Sequence, residues 1–464
     1  MTSTAATPRA TDSETLKQVL IPAVQEALTL ARRRSKRALR IEIPVASTDA
    51  QAWCAAQSNP IKVYWWGRER TFEVAGIGAA CHITGESGIE AVIDDVRNLM
   101  VENDPHMRVY GGLAFDPKTP PPTPWDSFGN ISFWLPRVEL MNRCGRSFIA
   151  CHVLAGADSC AESELEAVAQ TLDGLSRSNP EYRPELPSVV STRTQPDKAE
   201  WIGAVSQILE DISAGSLEKI VLGRETIFQF SQAPYPSTLL RHLADLAARS
   251  FLFLFQPRLG TAFVGASPER LYRRLERHIE TEAIAGTRPR GENAQADEAY
   301  AEALLSSEKD LREHRYVTDA IKKALDQLCT CTRNNDRISL LQLRQCQHLI
   351  ASFEGTLTDG ISDATILNAL HPTPAVGGTP REAAQNRIYE HEPFPRGWYA
   401  GSVGWISASG AEFAVAIRTA LLHGHSVATH CGAGIVSGSS PEAEWDEIGT
   451  KMRVMEAALS GGHE

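Results

Sequence analysis

An α+β fold, with large, mainly antiparallel sheets packed together and helices on the outside, is what this 464-residue chain predicts. Two observations lead there. Candidate strands follow one another with few helices between them, whereas a doubly wound parallel sheet needs a crossover helix after nearly every strand. The clearest helix, over 198–213, carries Trp201, Val205, Ile208 and Ile212 on a single stripe, an apolar face suited to lie against a sheet.

Taken in order, residues 1–13 are rich in Ser, Thr and Ala, lack a hydrophobic segment, and read as a disordered tail and not a transit peptide. A helix is expected over 14–34, and the basic run ARRRSKRALR at 31–40 reads as a solvated helix end. IKVYWWG (61–67) and TFEVAGIG (71–78) read as paired strands, DPKTPPPTPW (116–125) as a loop, and ISFWLPRVEL (131–140) and FIACHVL (148–154) as further strands. The Pro- and Ser-rich stretch 175–198 is the best boundary in the chain, dividing a variable portion, 14–190, from a second region, 197–460. In that region the helix over 198–213 closes at Gly215, and strands follow at 218–230, 251–256, 261–265 and 278–286. A long helix over about 293–327 comes next, then strands near 337–345 and 349–357, short helices at 361–370 and 379–390, and strands at 398–407, 411–419 and 425–431. A final helix opens at SSPEAEWDEIGTKMR, 439–453, with Ser440 as its cap and Pro441 in its first turn.

Composition narrows the function. A net charge of -11 and a pI near 5.7 argue against nucleic acid as the main partner, because phosphate binding needs clustered Lys and Arg. The nine cysteines are scattered; CTC at 329–331 is close-set, but no CxxC pair or Cys/His zinc spacing occurs. Reduced thiols in a cytoplasmic protein are expected. No apolar run approaches the roughly 20 residues that cross a bilayer, so no membrane span is expected.

Two helices carry paired acids. Glu444 and Glu447 stand three positions apart, as do Asp310 and Glu313 in SSEKDLREHRYV, 306–317, and that spacing puts each pair on one helix face. Solvated faces laced with Lys and Arg would account for both. If the two faces meet, the carboxylates need a counter-charge, and hard oxygen ligands without a Cys or His cage suit Mg²⁺.

The blocks EKIVLGR, FVGASPERL, EAIAGTRPRG, SEKDLREH, HPTPAVGGTP, RGWYAGSVGW, FAVAIR and GAGIVSGSSPEAEWDE, in order over about 197–458, resemble the chorismate-utilising enzymes. That family includes isochorismate, salicylate, anthranilate and aminodeoxychorismate synthases. The resemblance implies its α+β fold, chorismate as substrate and Mg²⁺ as cofactor, with Glu313 and Glu447 as direct ligands and Asp310 and Glu444 supporting them. It places Gly286 and Gly432 where bare backbone approaches the substrate, Arg418 on the enolpyruvyl carboxylate, and Lys451 near the ring carboxylate. Tyr399, His348 and Ala375 fall at further substrate-side positions. A core tyrosine, a satisfied core histidine and a helix-end lysine are the plain structural alternatives.

Among members, the resemblance points to an isochorismate synthase, which adds water at C2 while the C4 hydroxyl leaves and so needs a base and an acid. Lys219 in EKIVLGR matches the water-activating base, and Glu269 in GASPE the acid that protonates the departing hydroxyl. Both roles require burial and neighbouring charge to move the two pKa values toward neutrality. Salicylate synthases share both residues and are the nearest alternative. Anthranilate synthases typically carry glutamine at the Lys219 position, and the lysine nucleophile of aminodeoxychorismate synthases is replaced here by Ala285. No glutamine amidotransferase partner is therefore expected. A non-catalytic chorismate-binding protein would have no need of the acid and base.

Overall fold

The computed structural model describes residues 8–31, 37–85, 88–100, 104–156, 159–176, 184–334 and 338–461. These form twenty strands and eleven α-helices, and every strand pairing between neighbours is antiparallel. Two long strands, Phe72–Gly85 and Ile131–Arg143, pair along a central seam. From the first, pairing runs through Lys62–Trp66, Phe251–Arg258, Thr261–Ser267, Thr419–His423 and Ser426–Val436 to Lys219–Phe230. From the second it runs through Val109–Leu113, Ser402–Ile406, Gly410–Val415, Arg270–Leu275 and His278–Pro289 to Cys346–Leu357. The two limbs meet again where Thr261–Ser267 leads into Arg270–Leu275 and where Gly410–Val415 leads into Thr419–His423. Glu269 and Arg418 occupy those crossings.

An aromatic core joins the limbs. Trp65, Phe253, Phe255 and Phe263 of one are buried with Tyr110, Val403 and Trp405 of the other, and with Trp398. Phe255 meets Trp398 edge-on with centroids 5.7 Å apart, and each such pair contributes about 0.5–1.5 kcal/mol beyond its buried area. The helix Lys198–Ser213 starts where expected because Asp197 and Glu200 form a reciprocal capping box.

Several expectations are corrected. Residues 1–7 lie outside the described residues, but the tail does not extend to residue 13: Ala10 is buried and its carbonyl accepts from Trp53 Nε1. The first helix is Ser13–Ala31. Of the basic run, residues 32–36 lie outside the described residues, and Arg37–Arg40 open a strand paired with Arg146–Ala155 instead of ending a helix. The long helix over 293–327 is two, Ala294–Ser306 and Glu308–Leu328. Ser307 breaks it in extended conformation, its Oγ accepting from Asp310 N, because a serine hydroxyl competes for the amides a continuous helix would use. Strands before and after the stretch 175–198 pair with each other, Lys62–Trp66 with Phe251–Arg258 and Val109–Leu113 with Ser402–Ile406, so both portions belong to one α+β fold, and within the stretch Val189–Gln195 pairs with Lys219–Phe230. No helix among the described residues is long and apolar enough to cross a membrane.

Candidate active site

A cavity with about 730 Å³ of empty space, its open mouth included, is lined by both limbs, both crossings and the two acidic helices. Glu269, Gly286, Glu313, His348, Ala375, Tyr399, Arg418, Gly432 and Lys451 all line it. Lys219, Asp310, Glu444 and Glu447 do not.

Lys219 opens the strand Lys219–Phe230, opposite Val436, and is fully buried, with Nζ 3.2 Å from Glu313 Oε1. Burial pushes its pKa below the ordinary lysine value; Glu313 opposes that shift, and the charge on Lys451 adds to it. Glu269 is held at its crossing by backbone bonds, its carbonyl accepting from Val415 N and its amide donating to Ser267 Oγ. Burial, and then the like charge of Glu282, push its carboxyl up to about 8 against the opposing pull of Lys219, Lys451 and Arg418. Glu282 is itself fixed by Arg68, which reaches its two oxygens at 2.6 and 2.8 Å, and by the amide of Arg270.

Arg418 adopts φ +54°, a left-handed conformation that a non-glycine residue takes only when its surroundings impose it. Its Nη2 lies 3.2 Å from both His348 Nε2 and Cys346 Sγ. His348 Nδ1 faces the carbonyl of Gly286 at 3.1 Å; a carbonyl only accepts, so that nitrogen carries a hydrogen. Tyr399 is buried and stacks on His430 with centroids 4.9 Å apart. Burial raises its phenol pKa. Gly286 has φ +73°, and a Cβ at Gly432 would stand 2.9 Å from Leu222 O and 3.1 Å from Tyr399 Oη, so bare backbone faces the cavity at both positions.

The acidic helices face each other, but each carboxylate is turned to a basic partner. Glu447 lies 2.8 Å from Lys451, Glu444 2.5 Å from Lys309 on the other helix, and Asp310 2.6 Å from Arg288. Although burial would lower it, Lys451 stays charged well above the ordinary range because of Glu447, and its Nζ donates to Gly432 O. Burial and Glu447 together raise Glu444. Among the described residues, no three His, Cys, Asp or Glu side chains converge as a preformed metal centre. The donor set nonetheless fits a small hard cation: it is all oxygen, it draws on two helices that share Lys309 as counter-charge, and Asp310 Oδ1 is buried without a hydrogen-bond partner.

Sequence reasoning missed Gly434, Arg288, Glu282, Arg68 and Cys346. Gly434 lay inside the quoted GAGIVSG block; a Cβ there would stand 2.2 Å from Glu313 Oε1, so only glycine lets Glu313 reach Lys219. Arg288 lay inside GTRPRG. The other three act through chain pairing that no local motif announces.

Fold and cavity together define a chorismate-binding enzyme, and the chain belongs to that family: residues 23–460 match its description, chorismate binding enzyme. Among individual proteins, it is 32% identical over 430 residues to isochorismate synthase MenF of Escherichia coli K12, covering 91% of this chain and 94% of that one. It is 33% identical over 408 residues to the salicylate biosynthesis isochorismate synthase of Pseudomonas aeruginosa, covering 86% and 84%. The solved structure of the menaquinone-specific isochorismate synthase MenF from Escherichia coli matches with a TM-score of 0.81 at 28% identity, covering 95% of this chain and 99% of that one. Anthranilate synthase component I from Streptococcus pneumoniae shares the fold, with a TM-score of 0.69 at 23% identity.

Proposed function

We propose that this enzyme is an isochorismate synthase, converting chorismate to isochorismate by adding water at C2 while the C4 hydroxyl leaves. One observation carries the reading. A carboxyl raised to about 8 lines the cavity, and a buried lysine with a lowered pKa stands just behind it, paired to a lining carboxylate.

In this mechanism neutral Lys219 takes a proton from the water whose oxygen bonds to C2. Glu269, protonated at neutral pH, gives its proton to the C4 oxygen, which departs as water while both ring double bonds shift, C1=C2 to C1=C6 and C5=C6 to C4=C5. Arg418 holds the enolpyruvyl carboxylate as a planar two-pronged donor, and Lys451 contributes positive charge toward the ring carboxylate. Gly286, Ala375 and Gly432 leave room for the ring, and Tyr399 and His348 close its sides. Glu313 and Glu447, supported by Asp310 and Glu444, would hold Mg²⁺, which when bound supplies positive charge for the ring carboxylate.

The test is incubation of the pure protein with chorismate and Mg²⁺, with separation of products. Isochorismate alone is expected. Salicylate with pyruvate would make it a salicylate synthase, ammonia-dependent anthranilate an anthranilate synthase, and no product would leave only a binding protein.

A further inference from the structure

Cys346 sits behind the cavity wall, buried on the strand Cys346–Leu357 opposite Pro289. A cysteine that merely fills core volume faces apolar atoms. This one faces two nitrogens: His348 Nε2 at 3.3 Å and Arg418 Nη2 at 3.2 Å. Because His348 Nδ1 is occupied with the Gly286 carbonyl, the contact between sulfur and Nε2 needs one proton between them, on whichever atom it resides.

Arg418 has no carboxylate ion-pair partner among the described residues, and sulfur is the one group it touches that can carry negative charge. We propose that Cys346 is a positioning residue for Arg418: its sulfur, sharing a proton with His348, holds the guanidinium toward the cavity so that the substrate's carboxylate meets an arginine already in place. This rests on the reading of Arg418 as the carboxylate-binding residue.

The charged and titratable groups facing the sulfur are His348, Arg418 and, further off, Arg290. Arg290 is itself held by Asp297 at 2.6 and 2.7 Å. Burial alone would push the thiol up; His348 and Arg418, by charge and hydrogen bond, outweigh it and bring it down to about 6. Near neutral pH the pair then carries a thiolate, and fixing the arginine beforehand removes an ordering cost from binding.

The test compares steady-state kinetics on chorismate for Cys346→Ala, Cys346→Ser and Arg418→Gln, with thiolate absorbance titrated in the ligand-free wild type against Cys346→Ser. Cys346→Ala is expected to raise KM by roughly five- to thirtyfold, on the scale of one charge-assisted hydrogen bond, with kcat changed by less than about threefold. Cys346→Ser, which can hydrogen-bond but stays neutral, is expected to recover part of the loss. The difference titration is expected to show one thiolate with a midpoint near 6, a signature that a purely structural cysteine lacks and that does not depend on the alanine variant folding. An unchanged KM in Cys346→Ala, or a midpoint in the ordinary thiol range, would overturn the proposal. If Arg418→Gln raises KM while Cys346→Ala does not, only the role of Cys346 is lost; if Arg418→Gln also leaves KM unchanged, the reading of Arg418 falls first.

Discussion

Lys219 and Glu269 are both buried around one cavity, yet each has a carboxylate beside it that acts in the opposite sense. Burial drives both toward their neutral forms. Next to Lys219, Glu313 favours the ammonium and restrains that drive. Next to Glu269, Glu282 repels a second negative charge and reinforces it. The same residue type therefore moderates the shift of the proposed base and exaggerates that of the proposed acid. The difference is one of anchoring as well as sign: Glu282 is locked by Arg68, while Glu313 opens onto the cavity.

The broadest way to break the comparison is to remove divalent cations. Chelation is expected to abolish product formation and added Mg²⁺ to restore it, with calorimetric titration showing Mg²⁺ affinity weakened about 10- to 100-fold in Glu313→Gln. Lys219→Ala and Glu269→Gln are each expected to lower kcat by about 10²–10⁴-fold. For Glu269→Gln, chorismate binding measured at equilibrium should change by less than about threefold.

The pH profile sharpens the contrast. Glu269 acts as an acid only when protonated, so the alkaline limb of kcat is expected to fall as pH rises through about 8, about tenfold per further unit, while protonation of Lys219 sets a separate acidic limb. Glu282→Gln, which removes the like charge, should move that limb toward lower pH by up to about one unit. A limb unmoved in Glu282→Gln would show that burial alone sets the acid.

Stability provides the smallest and most direct check. The folded pKa of Glu269 lies above its unfolded value near 4.5, so the native state binds the extra proton more tightly. Its stabilising contribution is complete below pH 4.5 and is lost as pH rises through 8. Glu269→Gln should therefore melt at nearly the wild-type temperature at pH 4.5 and roughly a few degrees higher at pH 8.5, corresponding to about 1–4 kcal/mol.

What the sequence made legible follows from how local each signal is. The helix Lys198–Ser213 was readable to the residue because its stripe and its Asp197–Glu200 box lie within it. Val189–Gln195 was not: it is exposed and polar, and it is a strand only because Lys219–Phe230 offers it a ladder. The proposed catalytic pair, Lys219 and Glu269, stands in short motifs, and both residues are buried. The side chains that hold Glu282 and Arg418 in place were not legible. Arg68 reaches Glu282 from a remote segment, and Cys346 touches Arg418 across two strands, so their significance exists only after folding. Ser307 shows the converse: one local hydroxyl broke a helix that periodicity had made continuous.

The pairing of Lys219–Phe230 with Ser426–Val436, which sets Gly223 opposite Gly432, bears on how the molecule is made. On the ribosome, the strand bearing Lys219 emerges long before its companion and must wait with that ladder edge unsatisfied. Nascent chains stalled before residue 426 should thus be prone to aggregation and bound by chaperones, and catalytic competence should come late and all at once during synthesis.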